Sequence, residues 1–255
     1  MPDLSMLNRL NRLYLDKNNL DNGQYMGNLP KLENFYIRSN QLTFEDLNDI
    51  GAGPDSITNY GYGSQASFPL KQNIYHPNQG DTLSLNIDSI SVDTLGGTSY
   101  EWRKDGNTVS SSAELMIPSF SESDTGRYVC YVTNASYPEL TLSSDSLTLR
   151  MNASPDGIAL SDTTIAENNA ADTTVGQLSA SDANRVDSHS YSLVSGDGNN
   201  DADNDKFQIN GDTLKANTVF NYENQAECNI YVQATDKAGS SVKKAFTIAV
   251  KDQND

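Results

Sequence analysis

The chain has 255 residues and carries 34 Asp and Glu against 17 Lys and Arg, a formal charge of −17. Nucleic acid and anionic membrane surfaces repel such a charge, which argues against both as partners. No apolar run approaches the ~18 residues that a membrane span needs. The start, MPDLSMLNRL, lacks the basic and apolar regions of a secretory signal, so the expectation is a piece trimmed from a longer secreted protein.

Helix-period stretches are scarce. From residue 56 onward, short runs of Val, Ile, Leu, Tyr and Thr alternate with polar residues and are broken by Gly, Asn, Asp and Ser. This rhythm predicts a mainly β chain built of antiparallel sandwiches.

The first segment, residues 1–63, repeats itself. LNRLYLDKNNL aligns with LENFYIRSNQL at a spacing of 22, matching Leu10, Leu13, Leu15, Asn18 and Leu20 to Leu32, Phe35, Ile37, Asn40 and Leu42. The pattern L-x-x-L-x-L-x-x-N-x-L resembles leucine-rich repeats, which implies a short solenoid with inward leucines and a buried asparagine. Two units are too few to stand alone. LTFEDLNDIGAG reads as a closing turn, and SITNYGYGSQ can add a strand. The concave face would show Tyr14, Asp16, Tyr36 and Arg38, either to a ligand or simply to solvent.

The second segment, residues 64–153, reads as strands GDTLSLNI and YEWRKDG followed by SESDTGRYVCYVTN. Asp124-x-Gly126-x-Tyr128-x-Cys130, with Trp102 28 residues before Cys130, resembles the immunoglobulin fold. The resemblance implies a core of Trp102, Tyr128 and Cys130, with Tyr128 as a tyrosine corner. Ile87 stands where the first cysteine of that family is expected, so the inter-sheet disulfide is absent. An apolar pin of Ile87, Trp102 and Cys130 must replace its roughly 2–4 kcal/mol. The second cysteine, Cys228, falls in the third segment, and both are expected as free, buried thiols.

The third segment, residues 154–255, offers TIAENN, LSASDANR, YSLVSGD, FQINGDTL, FNYENQ, CNIYVQATDKAG and FTIAVKDQND. In that order these resemble a cadherin repeat, which implies a sandwich binding calcium at its ends. Calcium takes six to eight oxygens, so distant carboxylates must converge. At the C-terminal pole the resemblance implies Glu167, Glu223, Asp252, Gln253 and Asp255, with Asn221 where an acid is expected. At the N-terminal pole it implies Asp182, Asn184, Asp197 and Asp236. The preceding stretch RMNASPDG offers only Asp156 as a carboxylate, so this pole is expected to be weakened. The acid-rich GDGNNDADNDKF reads as a solvated loop. The alternative to calcium is that all these acids are surface charges.

His76 and His189 read as loop residues, and no nucleophile–base pair, phosphate loop or zinc motif is present. The expectation is therefore not an enzyme. Together the segments resemble pieces of large bacterial surface proteins. They imply an extracellular or cell-surface adhesion piece with calcium as cofactor. Its partners would be a protein or glycan on another surface and an adjacent cadherin-like domain beyond residue 255. The alternatives are a carbohydrate-binding accessory of a secreted enzyme, for which Tyr60, Tyr62, Tyr75 and Tyr137 are candidates, or a passive spacer.

Overall fold

The structure is a computed structural model and describes residues 7–23, 29–50, 57–70, 72–87, 95–184 and 188–253. The chain divides into two compact units, Met1–Met151 and Asn152–Asp255.

The first unit opens with strand β1 (Arg12–Tyr14), strand β2 (Asn34–Tyr36), helix α1 (Phe44–Asp49) and strand β3 (Asn59–Gly61). The three strands pair in parallel, with Leu13 beside Phe35 and Phe35 beside Tyr60. The step between β1 and β2 is the repeat spacing of the sequence. Asn40 is 1% exposed and its Nδ2 donates to the Leu15 and Ile37 carbonyls at 2.9 and 3.0 Å. Its Oδ1 accepts from the Leu20 N–H at 3.2 Å, so one side chain ties two successive turns. Asn18 is exposed and bonds only within its own turn. Gln65 serves the third turn: its Nε2 donates to the Ile37 and Tyr62 carbonyls and its Oε1 accepts from the Asn40 N–H. Thr43 and Asp46 close a reciprocal capping box on α1, which buries Phe44 and Leu47.

A sandwich follows. Strands β4 (Ile74–Tyr75), β5 (Leu83–Asn86), β6 (Thr98–Lys104), β7 (Asn107–Ser110), β8 (Glu114–Ile117), β9 (Gly126–Asn134), β10 (Thr141–Ser143) and β11 (Leu147–Leu149) form two sheets. One runs β4-β11-β9-β6-β7 with β10 also on β9, and the other is β5-β8. The β6–β7 hairpin turns on Asp105 and Gly106, both at positive φ, as a two-residue turn requires.

Each residue of the Asp-x-Gly-x-Tyr-x-Cys motif has a task. Asp124 accepts from the Ser121 N–H, and its carbonyl takes the Tyr128 hydroxyl at 2.7 Å, which is the tyrosine corner. Gly126 sits at φ 149, a conformation that side-chain-bearing residues rarely adopt, and a Cβ there would push the Asp105 carboxylate aside. Cys130 lies opposite Trp102 in the β6–β9 register. Ile87, Trp102 and Cys130 are all buried in one cluster. Burial pushes the Cys130 thiol up to about 12 and the Cys228 thiol up to about 11, so both stay protonated and unreactive. Both cysteines are free and buried, as the sequence suggests.

The N-terminal sheet and the sandwich share that single core. It runs from Leu32 through Phe35, Ile37 and Phe44 to Trp102, Cys130 and Leu149. Aromatic rings bridge the two parts: Phe35 stacks on Tyr60 at 5.2 Å, Tyr60 tilts against Tyr62 at 4.9 Å, and Tyr62 meets Tyr137 edge-on at 5.4 Å. Phe44 completes the row on Tyr137. Two turns that cannot bury a core alone thus borrow one from the sandwich. The carbohydrate reading needed exposed tyrosines. Tyr62 and Tyr137 are each 3% exposed, and Tyr60 and Tyr75 pack half-buried against the cluster.

The second unit has its own core, from Ile158 and Ile165 through Leu214 and Phe220 to Ile230, Ile248 and Val250. Its strands are β12 (Gly157–Leu160), β13 (Thr164–Ala166), β14 (Thr174–Ser181), β15 (Ser190–Leu193), β16 (Phe207–Asn210), β17 (Thr213–Ala216), β18 (Glu227–Thr235) and β19 (Ser241–Lys251). Two four-stranded sheets result, β12-β14-β17-β16 and β13-β19-β18-β15. The first stretch changes sheets between Leu160 and Thr164, where the Asp162 carboxylate accepts from the Thr164 N–H and hydroxyl. Beyond it, β13 pairs in parallel with β19.

The acid-rich loop is only partly the solvated loop of the sequence reading. Asp197 and Asp201 accept loop N–H groups, but Asp203 is 6% exposed. Burial alone would raise the Asp203 carboxyl. Hydrogen bonds from Lys206 Nζ at 2.7 Å, the Asn229 N–H at 2.8 Å and Gln225 Nε2 at 3.0 Å outweigh it and hold the group below its usual range. A depressed carboxyl stabilises the fold above its unfolded value, about 3.9, and loses that contribution as pH falls through the folded value. Urea midpoints measured from pH 6 downward should therefore be higher for wild type than for Asp203→Asn, with the gap beginning to narrow only as pH falls below about 4.

Candidate metal centre

Glu167 follows β13 and is carried to the end of the second sandwich by the parallel pairing of that strand with β19. It is 2% exposed. Its Oε2 accepts from the Tyr222 N–H and its Oε1 from the Gln253 N–H, both at 2.9 Å. Those backbone donors, Tyr222 first and Gln253 next, hold the Glu167 carboxyl below the usual range against the opposing effect of burial. The chain thus fixes this carboxylate ionised and oriented, before any cation is considered.

Glu223 and Asp252 come to the same place from the turn before β18 and the end of β19. One carboxylate oxygen from each of Glu167, Glu223 and Asp252 lies within 4.8 Å of the others. Three carboxylates this close repel one another when ionised. A cation among them offsets that repulsion. The donors are all oxygen, as a hard divalent cation such as calcium prefers, with Glu223 and Asp252 open to solvent for added water. Tyr222, whose N–H donates to Glu167, is 39% exposed.

The other residues of this predicted set behave differently. Asn221 is exposed and its Oδ1 accepts from the Asn224 N–H, closing its own turn. Gln253 contributes its N–H to Glu167. Asp255 lies outside the described residues.

Of the N-terminal set, Asp182, Asn184 and Asp236 gather around the first residues of the unit, Asn152 and Ala153. Asp197 does not join them. It sits on an exposed turn and accepts from the Asn199 and Asn200 N–H groups. His189 is not the open loop residue of the sequence reading. Its side chain is 10% exposed and stands 3.5 Å from Asp182. Asn152, which no motif marks, is the residue the sequence reading missed here.

Two family models match the chain. The cadherin domain covers residues 161–251 and the immunoglobulin domain residues 72–150, each about a third of the length. The chain therefore contains an immunoglobulin-like and a cadherin-like domain, modules that are typically non-catalytic and of the extracellular adhesion type. No curated protein matches the sequence. Among solved structures, PcdhgB3 EC1–4 is 15% identical over 77% of this chain and 53% of its own, with a TM-score of 0.33. Drosophila OTK, extracellular domains 3–5, is 14% identical over 74% and 67%, with a TM-score of 0.28. Protocadherin gamma B2 extracellular cadherin domains 3–6 is 21% identical over 74% and 50%, with a TM-score of 0.36. The chain spans about half the length of these two protocadherin pieces. No described helix is long and apolar enough to cross a membrane.

Proposed function

We propose that this chain is a non-catalytic adhesion or recognition piece, extracellular or at a cell surface, whose cadherin-like domain holds calcium at Glu167, Glu223 and Asp252. The convergence of those three carboxylates on one point carries the reading. Glu167 is the anchor, oriented by two backbone N–H groups. Glu223 and Asp252 close on it from the solvent side, and Asp255 and the Gln253 carbonyl would be the further ligands that the cadherin resemblance implies. Bound calcium would supply positive charge that offsets the mutual repulsion of the three carboxylates and would fasten residues 252–253 to the sandwich. A neighbouring cadherin-like domain would add the remaining oxygens.

Residues 1–63, 64–153 and 154–255 are read as a short leucine-rich repeat, an immunoglobulin-like domain and a cadherin-like domain in series, as in large bacterial surface proteins. The inter-turn bonds of Asn40 support the first assignment. The repeat and the sandwich would face a protein or glycan on another surface. Calorimetric titration of calcium into the chain and into Glu167→Gln tests the metal site: heat of binding is expected in the first and not in the second.

A further inference from the structure

The end of the cadherin-like domain opposite Glu167 contains the acids that the resemblance assigns to calcium, and three of the four carboxylate oxygens of Asp182 and Asp236 accept hydrogen bonds from the chain. Asp236 is 5% exposed. Its Oδ1 accepts from the Ser240 N–H and its Oδ2 from the Asn152 side-chain amide, both at 2.8 Å. Asn152 Nδ2 also lies 3.2 Å from the Ser240 hydroxyl. Asn184 is 8% exposed, and its Oδ1 accepts from the Ala153 N–H at 2.7 Å. Asp182 Oδ1 accepts from the Asn184 N–H at 2.6 Å. The other Asp182 oxygen is buried and accepts no hydrogen bond; His189 Nε2 stands 3.5 Å from it.

A buried carboxylate needs either a cation or donors to replace the water it has lost. Here the donors to three of the four carboxylate oxygens come from the chain itself, one of them the Asn152 amide, while the Ala153 N–H occupies Asn184 Oδ1. A calcium ion at Asp236 and Asn184 would have to displace both. Asn184 brings no charge, so Asp182 and Asp236 are the two carboxylates of this set. Among the described residues, the three-membered acidic cluster lies at the opposite end. The donor set does not fit calcium.

We infer that this pole takes no calcium, and that the amides of Asn152 and Ala153 hold it closed in calcium's place. The domain then responds to calcium at one end only, and residues 152–153 stay fastened to it whatever the calcium concentration. The inference concerns the pole remote from Glu167 and stands whether or not Glu167 binds the ion.

Two measurements on the full chain test it. Asn152→Ala removes the amide donor and leaves every acid in place. It is expected to lower the melting temperature of the second unit by the same amount in calcium and in chelator. Calcium titration of Glu167→Gln is expected to give no binding. The inference is overturned if Asn152→Ala melts like wild type, or if its loss appears in chelator and disappears in calcium. It is equally overturned by a calcium site that survives Glu167→Gln and vanishes in Asp236→Asn.

Discussion

Trp102→Ala is expected to destabilise the first unit by about 3–5 kcal/mol, the usual cost of emptying a large buried aromatic site. Trp102 is 1% exposed, lies opposite Cys130, and its indole N–H reaches the Ala113 carbonyl at 3.3 Å. No disulfide spans the sheets to hold them once the ring is gone. Typical domains are stable by about 5–15 kcal/mol, so the loss takes a large share. The N-terminal sheet should fail with the sandwich, because Phe35, Ile37 and Trp102 belong to one core. Hydrogen exchange reads this directly. The amides of Ile37 and Asn40 should lose protection together with those of β9, while those of β18 and β19, in a separate core, keep theirs. Retained protection at Ile37 in Trp102→Ala would mean that the short repeat folds independently.

The second large effect is expected from calcium. Extracellular modules bind it at about 10⁻⁴–10⁻³ M. At about 10 mM calcium the second unit should gain about 1.4–2.7 kcal/mol by mass action. For a domain of about 100 residues that is a rise of roughly 6–20 °C in melting temperature over the chelated protein. The first unit carries no cluster of three carboxylates among its described residues and should melt unchanged. Coincident curves in calcium and chelator would remove the metal site from the account.

The immunoglobulin-like core was legible because its motif is local. Asp124, Gly126, Tyr128 and Cys130 each answer to a neighbour that backbone geometry fixes, and a lone tryptophan marks the facing strand. Glu167, Glu223 and Asp252 were legible as a set only through the order of motifs along the third segment, since nothing in their spacing brings them together. The third turn of the N-terminal sheet was harder to read. Gln65 takes the structural place of Asn40, and the step from β2 to β3 is longer than the step before it. Exposure was the least legible property. Tyr62 and Tyr137 look like surface β-formers until the repeat docks on the sandwich, and Asp203 looks like a solvated loop residue until Gln225 and Asn229 are seen to bond it. Asn152 illustrates the limit: its amide donates to the Asp236 carboxylate, a contact that only the fold reveals.

The central claim is the calcium site anchored by Glu167, and calorimetric titration of wild type against Glu167→Gln tests it most directly. A saturable calcium isotherm in wild type, with affinity near the extracellular range, and a flat trace in Glu167→Gln is the predicted outcome. A flat trace in both, or the same isotherm in both, would contradict it.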